Sequence, residues 1–204
     1  PNSVRAAIAK LEVGGGENNP DINPNWGEPD MTIAERVFAS NTFEVRAFET
    51  GNPQSPANAI PPSAVVFGHL RYVVGTDINQ LMPLLQAHLD KHGFGDITII
   101  SERDPMHATR LDPDHPWAKW AIQSLSKTAG DEIAVVPNLG GSLPNDVFAD
   151  LLGLPTIWVP HSYAGCSQHA PNEHILESIS KNALRLMTGL WWDLGEGNTP
   201  RQIS

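Results

Sequence analysis

Apolar residues at Val4, Ala7, Ile8 and Leu11 recur at helical spacing. They predict a short first helix that Ser3 caps and Gly14-Gly15-Gly16 ends. Residues 14–30 are rich in Gly, Asn, Pro and Asp and read as a long exposed loop, with Trp26 a plug on the surface of a core. A second helix is expected over 30–38, burying Ile33, Val37 and Phe38. The period then changes to two. Residues 43–48 alternate and predict a strand. Residues 64–74 predict the clearest strand in the chain. Val65, Phe67, His69, Arg71 and Val73 fall on one face, and Val66, Leu70, Tyr72 and Val74 on the other. Thr76 or Asp77 caps a helix running to His92, with Gly93 as its stop and Pro83 inside it to kink it or delay its start. Residues 97–101 are β-rich. Up to here the order is helix, helix, strand, strand, helix, strand, a split βαβ layer with helices on one face of an antiparallel sheet.

Beyond Arg103 the pattern differs. A helix opens at Asp112-Pro113-Asp114-His115-Pro116 and runs through Lys127, with Trp117, Trp120, Ala121 and Leu125 inward. Residues 133–136 and 156–159 are continuous apolar runs, and a short helix over 145–151 closed by Gly153 lies between them. A long helix is expected over 172–192, with Ile175, Ile179, Ala183, Leu186 and Leu190 along one stripe. Pro171 suits its entry, Asn172 its cap, and Glu173 its positive end. Strands without alternation, separated by helices, indicate an α/β layer covered on both faces. Two such strands are too few for an independent sheet, so this half needs strands from elsewhere.

Composition narrows the function classes. The 204 residues carry a formal net charge of -10, which argues against non-specific binding to nucleic acid or an anionic membrane, since both need a basic face. Cys166 is the single cysteine, so no intrachain disulfide forms and nothing points to export. The expected compartment is the cytoplasm. No apolar run approaches the roughly 20 residues of a membrane span. The chain opens Pro1-Asn2-Ser3-Val4 directly into a helical pattern, and we expect it to be a fragment of a longer protein.

Four places offer chemistry. Asn138-Leu139-Gly140-Gly141-Ser142-Leu143-Pro144 follows an expected strand, where ligands bind in α/β sheets. Its glycines let backbone N–H groups approach an anionic group, and Ser142 adds a hydroxyl; the plainer reading is a tight strand-to-helix turn. His169, in Gly165-Cys166-Ser167-Gln168-His169-Ala170-Pro171-Asn172-Glu173-His174, sits after the next expected strand and before the long helix. A neutral imidazole there suits a metal or simply packs the loop. Both loops are expected to leave one edge of one sheet. Arg71 either binds a carboxylate bidentately or pairs with Glu44 or Glu49 on a neighbouring strand. Asn58 precedes Ile60-Pro61 in a loop, as a turn residue or a donor. His88 and His92 share a helix face at a spacing compatible with a metal, or with a solvated surface. There is no Ser-His-Asp order and no nucleophile elbow.

In this order, the four places resemble the dinuclear-zinc metallopeptidase and aminoacylase family, which includes carnosinase-type dipeptidases, glutamate carboxypeptidase, acetylornithine deacetylase and succinyl-diaminopimelate desuccinylase. Asn58-Ala59-Ile60-Pro61, followed by a strand ending Leu70-Arg71-Tyr72-Val73-Val74-Gly75-Thr76-Asp77, is similar to the family's Asn-x-Ile-Pro and Arg-containing strand. Gly140-Gly141-Ser142-Leu143-Pro144 resembles its Gly-Gly-Ser-Ile-Pro loop. His169-Ala170-Pro171-Asn172-Glu173 resembles its last zinc ligand and the following Asn-Glu. The resemblance implies an α/β chain: an α+β lid, an antiparallel sheet with two helices, over 1–102, its first strand missing, then an incomplete α/β catalytic layer over 103–204. It implies His169 as a zinc ligand, and Arg71, Asn58, Gly141 and Ser142 as holders of the substrate carboxylate, supported by Gly140, Asn172 and Glu173. In the family two zinc ions polarise a scissile amide carbonyl and generate hydroxide while a Glu moves the proton. The implied substrate is a dipeptide or N-acyl amino acid, and the implied partner a second copy joined through the lid.

The departures are equally specific. The family's His-x-Asp, bridging Asp, Glu-Glu pair and lid histidine all lie upstream of Pro1 in that pattern, and His69 is on the wrong side of the Asn58 loop to replace the last. Leu139 stands where dipeptidases often carry an acid. This chain alone is therefore expected to be inactive. The alternatives are a truncated, non-catalytic dimerisation or binding module of the same fold, and a carbamoyl-amino-acid hydrolase of the same family.

Overall fold

Thr32-Ile33-Ala34-Glu35 is a capping box. In the computed structural model, Thr32 N–H donates to Glu35 Oε2 at 2.9 Å and Glu35 N–H to Thr32 Oγ1 at 3.2 Å. The Thr32 N–H, and then the Thr32 hydroxyl donating to the same oxygen at 2.9 Å, hold the Glu35 carboxyl below its ordinary range. These bonds start a helix at Ile33, later than the Asp30 expected from apolar spacing.

The structure describes residues 1–14, 21–101, 105–141, 143–197 and 199–200. Its elements are α1 (Asn2–Ile8), α2 (Ile33–Ala39), β1 (Thr42–Thr50), β2 (Ala64–Arg71), α3 (Ile78–Lys91), α4 (Pro116–Ala129) and α5 (Glu177–Gly195), with a π-helical turn at Val147–Leu151 and a 3-10 turn at Ala164–Cys166. This is a mixed α/β chain. It divides into one unit of Pro1–Ala39 with Thr109–Ser204, and another of Ser40–Ala108. A division at 102/103 falls on residues outside those described, and α1 and α2 belong with the C-terminal part. Among the described residues no helix is long and apolar enough to cross a membrane.

In the second unit β1 and β2 pair antiparallel, from Thr42 opposite Arg71 to Thr50 opposite Ala64. The register shifts between Val45 and Ala47, a bulge that leaves Arg46 without a counterpart. A Cβ at Gly68 would lie 2.4 Å from the tip of the Phe43 ring, which would have to swing aside to admit it. The alternating pattern produced both strands, although β2 ends at Arg71 and not at Val74, and most of both faces stays exposed. Asn41 Oδ1 accepts from Val73 N–H at 2.9 Å and Thr76 Oγ1 at 3.1 Å, latching the turn that leads into α3. Asp77 caps α3 by accepting from Asn79 N–H at 3.0 Å. This cap starts the helix at Ile78, so Pro83 lies inside it and does not delay it. Gly93, at φ 83°, follows the end of the helix as expected.

In the first unit α4 and α5 pack together. Among the described residues the buried apolar ones are Val4 and Ile8 of α1, Ala121 and Leu125 of α4, Ala183 of α5, and Cys166. Trp117 and Trp120 are only half-buried and meet edge to face at 5.5 Å. Ser3 does not cap α1, which begins at Asn2. Of the glycines expected to stop α1, Gly15 and Gly16 lie outside the described residues, and the helix ends earlier, at Ile8. Arg36 is buried and donates to the carbonyls of Pro24, Trp26 and Pro29 at 2.7–3.2 Å. It ties the loop before α2 to the helix, which loop composition alone did not reveal.

Asp193 of α5 accepts from Lys127 Nζ at 2.7 Å and from buried Ser124 Oγ at 2.8 Å, both on α4. The Lys127 contact first, then Ser124, holds the Asp193 carboxyl below its ordinary range. A lowered folded-state value stabilises the fold above about pH 4, and that contribution is lost as pH falls through the folded value. Asp193→Asn should therefore weaken the chain at neutral pH and flatten its acid limb. Equilibrium unfolding between about pH 6 and 2 reads this; parallel acid limbs for the two proteins would remove Asp193 from the account.

Three expected strands, 97–101, 133–136 and 156–159, are not formed among the described residues, where β1–β2 is the one ladder. Apolar composition supplies the side chains of a buried strand but not the neighbouring backbone that makes it a strand.

Candidate functional site

The loop between Tyr163 and α5 carries unusual backbone. Ser167, His169 and Asn172 all have left-handed conformations, at φ 57°, 61° and 65°. Each such non-glycine residue costs roughly 1 kcal/mol or more unless its surroundings hold it, and least for Asn. The surroundings here are hydrogen bonds. Ala170 N–H donates to Ser167 O at 2.9 Å and His174 N–H to Cys166 O at 3.0 Å. Cys166 itself is buried, and its Sγ accepts from Ser162 Oγ at 3.2 Å.

His174 completes the clamp. Its Nδ1 lies 2.8 Å from Asn172 O and its Nε2 2.5 Å from Tyr163 Oη. A carbonyl only accepts, so Nδ1 carries the proton; in the neutral ring Nε2 then accepts from the Tyr163 hydroxyl. Tyr163 and His174 were missed by sequence reasoning, because neither belongs to a motif and their pairing is made by the fold of the loop.

These bonds overturn the expected start of the long helix. Asn172 does not cap α5. Its left-handed φ is incompatible with the extended backbone of an N-cap, and its carbonyl is engaged by His174. The helix starts five residues later, at Glu177, after Leu176 at φ -84° and ψ 138°. Glu173 is thus not at the positive end of the helix. Its Oε2 accepts from His169 N–H at 3.4 Å. Ile175, expected on the buried stripe, precedes α5 and is exposed.

His169 projects from this clamped loop as an exposed residue, and among the described residues nothing hydrogen-bonds its imidazole. In the glycine loop, Gly140 and Gly141 are exposed, and a Cβ at Gly141 would meet nothing within 4 Å. Ser142 lies outside the described residues. The ends of this loop are tied down. Asn138 donates to Phe38 O at 2.6 Å and accepts from Arg110 at 3.3 Å; Asn145 donates to Thr109 and Thr156 hydroxyls at 2.7 and 3.0 Å. The expected shared sheet edge is not present, since the two strands that would define it are unpaired among the described residues.

Arg71 ends β2 and lies 3.5 Å from Glu44 Oε1, both side chains being about half exposed. The register explains the choice of partner: Glu44 stands opposite His69, two residues from Arg71, within diagonal reach. Asn58 is exposed in the loop entering the other end of β2, roughly 23 Å of strand away from Arg71. No hydrogen bond joins the two among the described residues.

No group of three His, Cys, Asp or Glu side chains converges on a point suited to a metal ion among the described residues. One exposed imidazole does not hold a catalytic ion. The described residues by themselves do not fit a dinuclear centre, and no catalytic step is derived through one.

No family model and no curated protein matches the sequence. Solved structures do. The chain is similar to the M20 family metallo-carboxypeptidase Sso-CP2 from Sulfolobus solfataricus, with a TM-score of 0.71 and 24% identity, over 93% of this chain and 44% of that one. It is also similar to the di-peptidase Dug1p from Saccharomyces cerevisiae, with a TM-score of 0.58 and 20% identity, over 76% of this chain and 33% of that one. The chain therefore has the fold of part of a metallopeptidase and spans less than half the length of either relative, in agreement with the motif resemblance.

Proposed function

We propose that this chain is part of a metal-dependent hydrolase that cleaves an amide or peptide bond beside a carboxylate, in a dipeptide or an N-acyl amino acid. The observation that carries the reading is the fold likeness to a metallo-carboxypeptidase across 93% of the chain. The clamped loop that presents His169 supports it. In this reading His169 is one ligand of a zinc site completed by residues beyond this chain. Arg71, Asn58, Gly141 and Ser142 are the proposed substrate-binding residues, and Gly140, Asn172 and Glu173 the proposed supporting ones. The Arg71 guanidinium leaves Glu44 for the substrate, an exchange favoured by the bidentate geometry a free carboxylate offers. In this reading the lid lies within residues 1–102, with its hairpin and α3 in the unit Ser40–Ala108, and the catalytic portion lies within 103–204. The protein is cytoplasmic.

Hydrolysis of a panel of dipeptides and N-acyl amino acids by the complete protein, with and without a chelator, tests the reading. Chelation should abolish turnover. Arg71→Ala should raise KM by about tenfold or more, since charge-assisted pairs contribute about 1.5–3 kcal/mol. Unchanged kinetics would remove Arg71 from the site. The isolated chain should be inactive and should retain no tightly bound zinc after dialysis; two retained ions would overturn that expectation.

A second reading has its own observation. Phe43, Val45, Phe48, Val65, Val66 and Phe67 of the hairpin are all 42–63% exposed. A non-catalytic module that pairs with a second copy through this sheet would leave such a surface. A dimer that forms without any hydrolytic activity in the complete protein would favour it.

A further inference from the structure

We propose that His88 and His92 form a bidentate site for a divalent transition-metal ion of the copper, nickel or zinc kind. The two residues stand one turn apart on α3, at the i,i+4 spacing that shares a helix face. Their ring centroids are 4.5 Å apart, with planes tilted by 42°. Two imidazole nitrogens bound to one tetrahedral ion lie roughly 3.3 Å apart, given bonds of about 2.0–2.1 Å. Rings already in contact reach that separation by side-chain rotation, and both residues are exposed, so packing does not oppose it.

Each neutral imidazole supplies one unprotonated nitrogen. Water fills the remaining positions. The end of the helix adds a favourable field: His88 is in the last turn and His92 is the C-cap, where the free carbonyl ends concentrate negative potential. Lys91 is the opposing charge, on a flexible stem that carries its ammonium into solvent. The Asp90 carboxylate is engaged by Gln86 Nε2 at 3.0 Å and is not counted as a ligand. Copper(II) binds such an imidazole pair more tightly than nickel(II) or zinc(II). The site is independent of the peptidase reading, because it uses no residue of the His169 loop and belongs to the other unit.

Calorimetric titration of the 204-residue chain with copper(II) chloride and with zinc(II) chloride tests it, alongside His88→Ala, His92→Ala and His169→Ala. The expected result is one ion per chain, copper tighter than zinc, weakened on the order of 100-fold by either helix substitution and unaffected by His169→Ala. Bound metal should also slow amide exchange at the end of α3. The proposal is overturned if the wild-type chain binds neither ion, if both helix variants bind as the wild type does, or if His169→Ala abolishes the binding.

Discussion

Ile8→Ala should destabilise the first unit by about 2–5 kcal/mol, the range for deleting a buried aliphatic side chain and leaving its cavity. Ile8 is 2% exposed and is the one large side chain buried completely among the described residues. The apolar core around it is small, so little remains to collapse into the gap. The helix that carries it spans seven residues and is too short to persist without that contact. Urea unfolding followed by far-ultraviolet circular dichroism measures the loss, with Ile8→Val expected at about 0.5–1.5 kcal/mol. Cys166 belongs to the same core, and its carbonyl receives His174 N–H. Amide protection at His174 should fall in step with global stability. A variant as stable as the wild type would mean that Ile8 is not a core residue.

Gly189→Ala should also destabilise, against the ordinary sign. In a helix interior this exchange normally gains about 1 kcal/mol. Here the added Cβ would lie 2.1 Å from Thr128 Oγ1 and 3.0 Å from Thr128 Cβ. Thr128 is β-branched, and its Cγ2 at 2.9 Å is also too close, while rotation about χ1 leaves its Cβ where it is, so a rotamer change alone gives little relief. The expected loss is about 1–3 kcal/mol, the cost of overpacking. Thr128→Ala removes the nearest atoms, and the double variant should recover most of the loss. A double-mutant cycle then gives a coupling of at least about 0.5 kcal/mol. Stabilisation by Gly189→Ala alone would show that α4 and α5 are not in this contact. The packing bears on the candidate site because α5 leads directly out of the loop that presents His169.

Helix ends show how far sequence reading reached. Asp77 and Gly93 bound α3 as expected because each acts on backbone within a few residues of itself. Asn172 failed as a cap although it is a good capping residue, because His174 folded back and took its carbonyl. Arg71 illustrates the same limit at a candidate site. Its two readings, substrate holder and partner of Glu44, were both visible; the strand register put Glu44 within reach, and a bulge at Arg46 is part of that register.

The sequence by itself determined the order and kind of the helices, the β1–β2 hairpin, the motif order that resembles a zinc metallopeptidase, and His169 as the residue worth testing. These rest on periodicity, caps and turns, which involve neighbours in the chain. Only the tertiary structure decided that α5 waits until Glu177, that Tyr163 and His174 clamp the loop, that Arg36 binds three carbonyls, and that the apolar runs at 133–136 and 156–159 have no ladder among the described residues. Those outcomes depend on which distant donor meets which acceptor. A strand, a clamp and a metal site are each made by groups far apart in sequence, and no local pattern carries them.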